Sequence, residues 1–265
     1  MSSNQKPLSF DDILTLAERE TGAYGLADDG LRQRVAELIQ WIDARGPYAA
    51  HEIEVMSRQL QRLLTTRLRL AADRRQYSAI ADEKIARPIF IIGFARSGTT
   101  LLHSLLAEDP AILAPQSWHV YSPSPPPGAG PVCRGRIAHA QRAVEHWMDF
   151  CPGQRPMHPY IDKGAYQLIE DEEIFTLDFR SAYPYHLYRV PTLEPMTILS
   201  HDRAGAFRFH REFLQHLQWK TDKDRWVCKG PSAQQHLDAI FEAYPDALCV
   251  DRDRRLRQSP AHLAG

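Results

Sequence analysis

A parallel α/β sheet with helices on both faces, three layers in all, preceded by an all-helical N-terminal region, is the fold class that this sequence predicts. Three observations predict it. Pro88 opens a run of apolar, strand-forming residues, Ile89 to Ile92, without polar alternation, the pattern of a strand buried on both faces. Leu101, Leu102, Leu105 and Leu106 follow at helix spacing, so a helix comes directly after that strand. Further on, "RWVCK", "QQHLDAIFEAY" and "ALCV" read as strand, helix and strand, and such alternation argues for parallel pairing through crossovers.

The elements before Pro88 are all helical. Ser9, with Asp12 three residues on, resembles a cap ahead of "DDILTLAERE", the usual start signal of a helix. Val35, Leu38, Ile39 and Ile42 repeat at helix spacing in "LRQRVAELIQWID". A third segment, Ala49 to Lys84, carries Ile53, Met56, Leu60 and Leu64 on one side and arginines elsewhere. No heptad is sustained, so these helices form a packed cap and not a coiled coil. After the first strand and helix, "SPSPPPGAGP" (Ser122 to Pro131) can form no regular element and reads as a long loop. Helices are expected at Ile137 to Asp149, Ala165 to Arg180 and Ala204 to Gln218. The expected organisation is a helical region over 1–86, an α/β domain over 87–250 and an arginine-rich tail over 251–265.

Composition narrows the function. The chain has 265 residues, 43% hydrophobic and 25% charged, with net charge −1, enough for a substantial core in a soluble globular protein. A near-neutral balance gives no global attraction for nucleic acid, so any anion site must be local. Cys133, Cys151, Cys228 and Cys249 lie far apart without a C-x-x-C pair. That spacing suggests neither a disulfide framework nor a zinc site. His210 and His216, six apart on one helix, are on the wrong faces to share a metal. The N-terminus lacks a secretory profile, and no apolar run reaches the roughly 20 residues of a membrane span. The chain therefore reads as cytoplasmic.

The chemistry concentrates in "GFARSGTT". Gly93, Ala95, Ser97 and Gly98 make a small-residue turn, and Thr99 and Thr100 open the helix. Small residues let backbone approach an anion, while unpaired N–H groups and the helix dipole point at it. This is a P-loop-like corner. A Walker loop, however, needs a lysine for the β- and γ-phosphates and a hydroxyl for Mg²⁺. Here Thr99 stands at the lysine's place and the basic residue, Arg96, has moved inside the turn. A donor carrying one phosphate joined to one transferable group fits better than a triphosphate with its metal.

These residues carry a family resemblance. "PIFIIGFARSGTTLLHSLLAEDP" is similar to the 5′-phosphosulfate loop of sulfotransferases that use 3′-phosphoadenosine 5′-phosphosulfate (PAPS). The likeness continues through "APQSWHVYSPSPPP", "EDEEIFTLDFRSAYP", "LQHLQWK" and "RWVCKGPSAQQHLDAIFEAYPDA", and the whole resembles the bacterial group with a helical N-terminal region. The resemblance implies transfer of a sulfuryl group from PAPS, without a metal, to a hydroxyl or amine on a small-molecule or glycan acceptor. It implies that Ala95, Arg96, Ser97, Gly98, Thr99 and Thr100 hold the phosphosulfate, with Arg96 also catalytic. An arginine suits that role because its guanidinium forks onto two oxygens and stays charged.

The sequence departs from the family at several points. Where members have Trp-Glu, with the glutamate as candidate base, this chain has Trp118-His119. Either His119 takes over as general base, as a neutral imidazole can, or it is a loop histidine without a role. Lys229 ends the second strand in "KGPSA" and either meets donor or acceptor or is a solvated lysine. Glu170 and Glu173 in "EDEE" could pair in a site, but such a run is more often a solvated helix face. After "YPDA", Arg252-Asp253 imitates the segment that holds the 3′-phosphate. Arg254 then replaces its proline, and Ser259 falls one residue short. Arg252 to Arg257 reads as a solvated charge run, and the ending resembles a truncation or a reading-frame change. A weak or inactive sulfotransferase is the expectation, with an uncovered sheet face open to self-association. The competing readings are a P-loop small-molecule phosphotransferase and a non-catalytic remnant of the sulfotransferase fold.

Overall fold

The structure, a computed structural model, describes residues 8–25, 29–94, 97–150, 161–184 and 202–251. Its first third is helical: α1 (Phe10–Thr21), α2 (Asp29–Arg45) and α3 (Ala50–Gln76), then a 3₁₀ turn at Ser78–Asp82. Ser9 caps α1, its hydroxyl accepting the Asp12 N–H at 3.3 Å, as its spacing predicts.

Strand β1 is Ile89–Ile92, buried along its whole length. Helix α4 (Thr99–Leu106) follows, then β2 (Ile112–Leu113), α5 (Ser117–Tyr121) and α6 (Arg134–Phe150). Next come a 3₁₀ stretch at Ile161–Tyr166, α7 (Asp171–Leu177), α8 (Arg203–Gln218) and β3 (Arg225–Lys229). A 3₁₀ turn at Pro231–Gln235, α9 (Leu237–Ala243) and β4 (Leu248–Asp251) complete the described elements.

The sheet has the order β2-β3-β1-β4, and every pairing is parallel. Register sets its two faces. Ile89 stands beside Val227 and Leu248, and Ile91 beside Lys229 and Val250, so these side chains share one face. There Ile89, Ile91 and Val227 pack under Leu102 and Leu106 of α4. Phe90, Ile92, Trp226 and Cys228 point the other way, into the large core with Phe207 and Phe213 of α8 and Ile240 of α9. That core runs on without a break to Leu60 and Leu64 of α3, Leu38 of α2 and Leu14 of α1. The N-terminal helices and the sheet thus share one interior. On the α4 face, Leu101, Leu105 and Leu248 are exposed.

Three expectations need correction. The helix expected over Ala165 to Arg180 is a 3₁₀ stretch, an extended link and the short α7. Gly164 and Phe179 both have positive φ, and Glu170 is an extended N-cap, so the chain cannot run through as one helix. The last helix begins at Leu237, behind a 3₁₀ turn that starts on Pro231. Within the proline-rich loop Pro127–Ala129 makes a 3₁₀ turn.

Candidate functional site

The site forms at the carboxyl ends of β1 and β3, where an open parallel sheet presents its loops. β1 ends at Ile92 and α4 begins at Thr99, with Gly98 as N-cap at φ 96. A left-handed cap suits glycine because it has no Cβ to clash. Ala95 and Arg96 lie outside the described residues. Of the rest of the loop, Ser97 and Thr99 are buried, and the Ser97 hydroxyl has no hydrogen-bond partner among the described residues. A buried hydroxyl without a partner costs stability unless a ligand oxygen meets it. Together with the start of α4, it fits the anionic end of a phosphosulfate.

Lys229 is the residue that ties this loop to the rest. Its register beside Ile91 aims it at the α4 face, and its Nζ donates to Thr100 Oγ1 at 3.1 Å and to Glu170 Oε1 at 2.6 Å. The other Glu170 oxygen accepts from the Tyr183 hydroxyl at 3.2 Å. Lys229 is 3% exposed, so the solvated-lysine reading is wrong: the strand end is buried between α4 and α7. The solvated-face reading of the acidic run is wrong as well. Asp171 and Glu172 are buried, and Glu172 faces Arg203 at 3.4 Å. Half-buried Glu173 has its pKa pushed up to about 8, by burial first and then by the Glu170 charge beside it.

Beneath the pair lies a second polar layer. His103 of α4 sits against the Val227 carbonyl, 3.4 Å from its Nε2, and burial with the Lys229 charge lowers its pKa to about 4. On the opposite sheet face, Asp171, His210 and Cys228 bring three potential ligand atoms within 4.8 Å of one another. His210 Nδ1, however, is engaged by the Tyr244 hydroxyl at 2.8 Å. Burial, then the Asp171 charge, also pushes the Cys228 thiol well up. The Tyr244 contact makes His210 part of the core, with its Nε2 3.4 Å from Asp171 Oδ1. Asp171 Oδ2 would lie 2.9 Å from any Cβ at Gly230, which explains a glycine directly after Lys229.

His119 is placed differently. It lies in α5, its Nδ1 accepting the Gln116 N–H at 2.9 Å, its ring 4.1 Å from that of Trp118. Burial, then Arg136 and His216, lower its pKa to about 3. With Nδ1 accepting, the proton of the neutral ring sits on Nε2. Arg252, Arg254 and Ser259, the candidates for the 3′-phosphate, lie outside the described residues.

Sequence reasoning missed Tyr183 and the contact of Lys229 with Thr100. The signal for the second was present: a lysine ending one buried parallel strand sits level with the loop that ends its neighbour.

Comparison with known proteins agrees with this geometry. The Sulfotransferase family pattern matches residues 88–261. The crystal structure of sulfotransferase STF1 from Mycobacterium tuberculosis H37Rv is similar, with 26% identity and a TM-score of 0.72, over 96% of this chain and 70% of that one. That of sulfotransferase STF9 from Mycobacterium avium shares the fold, with 22% identity and a TM-score of 0.78, over 99% of this chain and 69% of that one. No curated protein matches in sequence. No described helix is long and apolar enough to cross a membrane. With the family pattern spanning well over half its length, this chain belongs to the sulfotransferase family, the enzymes of PAPS-dependent sulfuryl transfer.

Proposed function

We propose that Arg96, Ser97, Gly98, Thr99 and Thr100, on the turn through Ala95, hold the 5′-phosphosulfate of PAPS, and that Lys229 and Glu170 carry out the transfer beside it. The observation that carries this reading is the bridge from Thr100 through Lys229 to Glu170. It joins a cation and a carboxylate to the start of the loop helix. PAPS, when bound, supplies a sulfuryl group on a phosphate leaving group.

The chain's own residues then divide the work. The buried Ser97 hydroxyl and the N–H groups at the start of α4 meet the anion. Arg96 adds a charge-assisted, forked contact. Lys229, already on Thr100, meets the negative charge that collects on the bridging oxygen as the old S–O bond breaks. Glu170 takes the proton of the acceptor hydroxyl or amine as the new bond to sulfur forms, since a carboxylate accepting two hydrogen bonds still has free lone pairs. Glu173, held neutral near pH 7 by its raised pKa, keeps a second negative charge away from Glu170. We give the base to Glu170 and not to His119. The His119 ring is a weak base, and its Nε2–H can only donate, to a sulfuryl or acceptor oxygen.

Calorimetry with 3′-phosphoadenosine 5′-phosphate, beside ATP with Mg²⁺, tests the donor assignment. The bisphosphate should bind, and Arg96→Ala should weaken it by about ten- to a hundred-fold, the size of a lost charge-assisted bond. Arg96→Lys should recover part of this. Unchanged binding in Arg96→Ala overturns the assignment. Preference for ATP with Mg²⁺ would favour a phosphotransferase, and binding without transfer a non-catalytic remnant.

A further inference from the structure

A cavity of about 340 Å³ opens at the end of α5, lined by Thr66 and Arg69 of α3, Tyr121 to Ser124, and Cys133, Gly135, Arg136 and His139. Its walls carry more positive than negative charge, and the sequence spacing shows why. Arg62, Thr66 and Arg69 recur at intervals of four and three along α3, and Arg136, His139 and Arg142 at intervals of three along α6, so each helix presents one cationic stripe. Arg62 lies over the Tyr121 ring, 5.0 Å from its centre. Arg136 is pinned by donating to the Ser122 and Pro123 carbonyls at 2.6–2.9 Å. His139 Nδ1 lies 2.8 Å from Ser122 Oγ, and burial, Arg62, Arg142 and Arg69 all lower its pKa. Against these cations stand Glu20, paired with Arg69 at 3.1 Å, and Asp73, whose pKa burial raises while a hydrogen bond with Ser124 and the Arg136 and Arg69 charges oppose the rise.

The cavity borders the reaction site through α5. Arg136 lies 5.3 Å from the centre of the Trp118 ring, which meets the His119 ring at a tilt of 55°. Tyr121 feels both Arg62 on the cavity side and the Glu173 carboxyl. We propose that this cavity is the acceptor pocket, and that it selects acceptors bearing an acidic group, carboxylate or sulfonate, placed away from the nucleophilic hydroxyl. This rests on the sulfotransferase reading above. The arginines of α3 and α6 hold the acid, and the hydroxyl end reaches past Tyr121 toward Glu170.

The test compares three phenols of matched size as acceptors: 4-hydroxybenzoate, 4-hydroxybenzenesulfonate and the neutral 4-hydroxybenzamide. One or both acids should be preferred in kcat/KM by about ten-fold, mostly through KM, as one well-placed charge contact allows. Which acid leads identifies the group. The double variant Arg69→Ala/Arg136→Gln, which takes both lining guanidiniums away while the introduced amide can still donate to the loop carbonyls, should collapse the preference. Equal use of all three, or a preference that survives the double variant, overturns the proposal. A second readout does not need transfer at all. Cys133 on the cavity wall is exposed, and its alkylation can be followed by peptide mapping with anionic iodoacetate and neutral iodoacetamide. The ratio of the two rates should exceed that of a free thiol peptide and fall in the double variant. If neither transfer nor bisphosphate binding is found, the sulfotransferase assignment fails and this ratio alone decides whether the cavity is an anion site; a ratio equal to the peptide's refutes it.

Discussion

Helix α7 has an acid at each end, and the two are treated in opposite ways. At its N-terminus Glu170, the cap residue, meets one ammonium and one phenol: Lys229 at 2.6 Å and Tyr183 at 3.2 Å. At its C-terminus Asp178 meets three guanidiniums, Arg34 at 3.1 Å, Arg67 at 2.9 Å and Arg180. The helix dipole favours the first acid and opposes the second, which fits one cation at Glu170 and three at Asp178. The Asp178 side chain is 1% exposed and that of Glu170 18%. One end is saturated and closed, joining α2 and α3 to the core. The other keeps open lone pairs beside Thr100, at the start of α4. Within one short helix, the number of partners separates a charge that holds the fold from a charge free to do chemistry.

The largest way to break that contrast is Asp178→Ala. It would take the shared acid from guanidiniums of α2 and α3, while Arg180 keeps Asp202 at 2.9 Å, and removing one side of a buried pair costs about 3–5 kcal/mol. Chemical denaturation should show the midpoint falling with little change in slope. A loss under ~1 kcal/mol would mean that the arginines find other partners, and the cluster would not be what docks the N-terminal helices.

Lys229→Met should move most of the loss from stability to rate. It leaves Glu170 without its cation, but that side chain is 18% exposed and water can meet the carboxylate, so the cost in stability should be smaller than that of Asp178→Ala. In the proposed mechanism this cation meets the leaving oxygen, so the transfer rate should fall by about a hundred- to a thousand-fold, the size of a lost oxyanion donor. A rate within about three-fold of the parent would remove Lys229 from the mechanism.

The two ends of α7 were also unequally legible in the sequence. Strand Ile89–Ile92, the loop and the Ser9 cap are local signals, written in consecutive residues, and all three could be read. "EDEE" could not, because what decides its state comes from elsewhere: Lys229 is 59 positions from Glu170, and Arg34 is 144 from Asp178. An acidic tetrapeptide reads as solvated until its cations are known. Lys229 failed for the same reason, as its burial depends on α4 and α7 closing over a strand end. Strand β2, with two residues, is too short for any periodicity to show.

A smaller effect comes from pH. Glu173, with its pKa raised to about 8, holds its proton in the folded chain where an unfolded glutamate has lost it. Its favourable contribution is complete below about pH 4.5 and is lost as pH rises through about 8. His103 and His216, both lowered to about 4, act in the opposite direction. They are neutral when folded, so their contribution is present above about pH 6.5 and is lost as pH falls toward 4. Stability should therefore peak near neutral pH and fall on both sides. Glu173→Gln should flatten the alkaline side, adding ~1–3 kcal/mol at pH 8, steepen the rise between about pH 4.5 and 6.5, and leave the region below about pH 4.5 unchanged. An alkaline limb equally steep in the variant would place the titrating group elsewhere.

The smallest change tests whether the open end of α7 is tuned as well as exposed. Tyr183→Phe removes only the hydroxyl that donates to Glu170 Oε2 at 3.2 Å, and its ring stays in place. Losing that hydroxyl lets one Glu170 oxygen turn and should cost ~0.5–1.5 kcal/mol in positioning, so transfer at neutral pH should fall by less than about ten-fold. The loss should appear in kcat with KM little changed, because the acceptor's own contacts are untouched. Asp178, saturated by three arginines, has no counterpart to this adjustment. A rate equal to the parent's would take the phenol out of the positioning of Glu170, and a fall of more than about a hundred-fold would make the phenol part of the transfer itself.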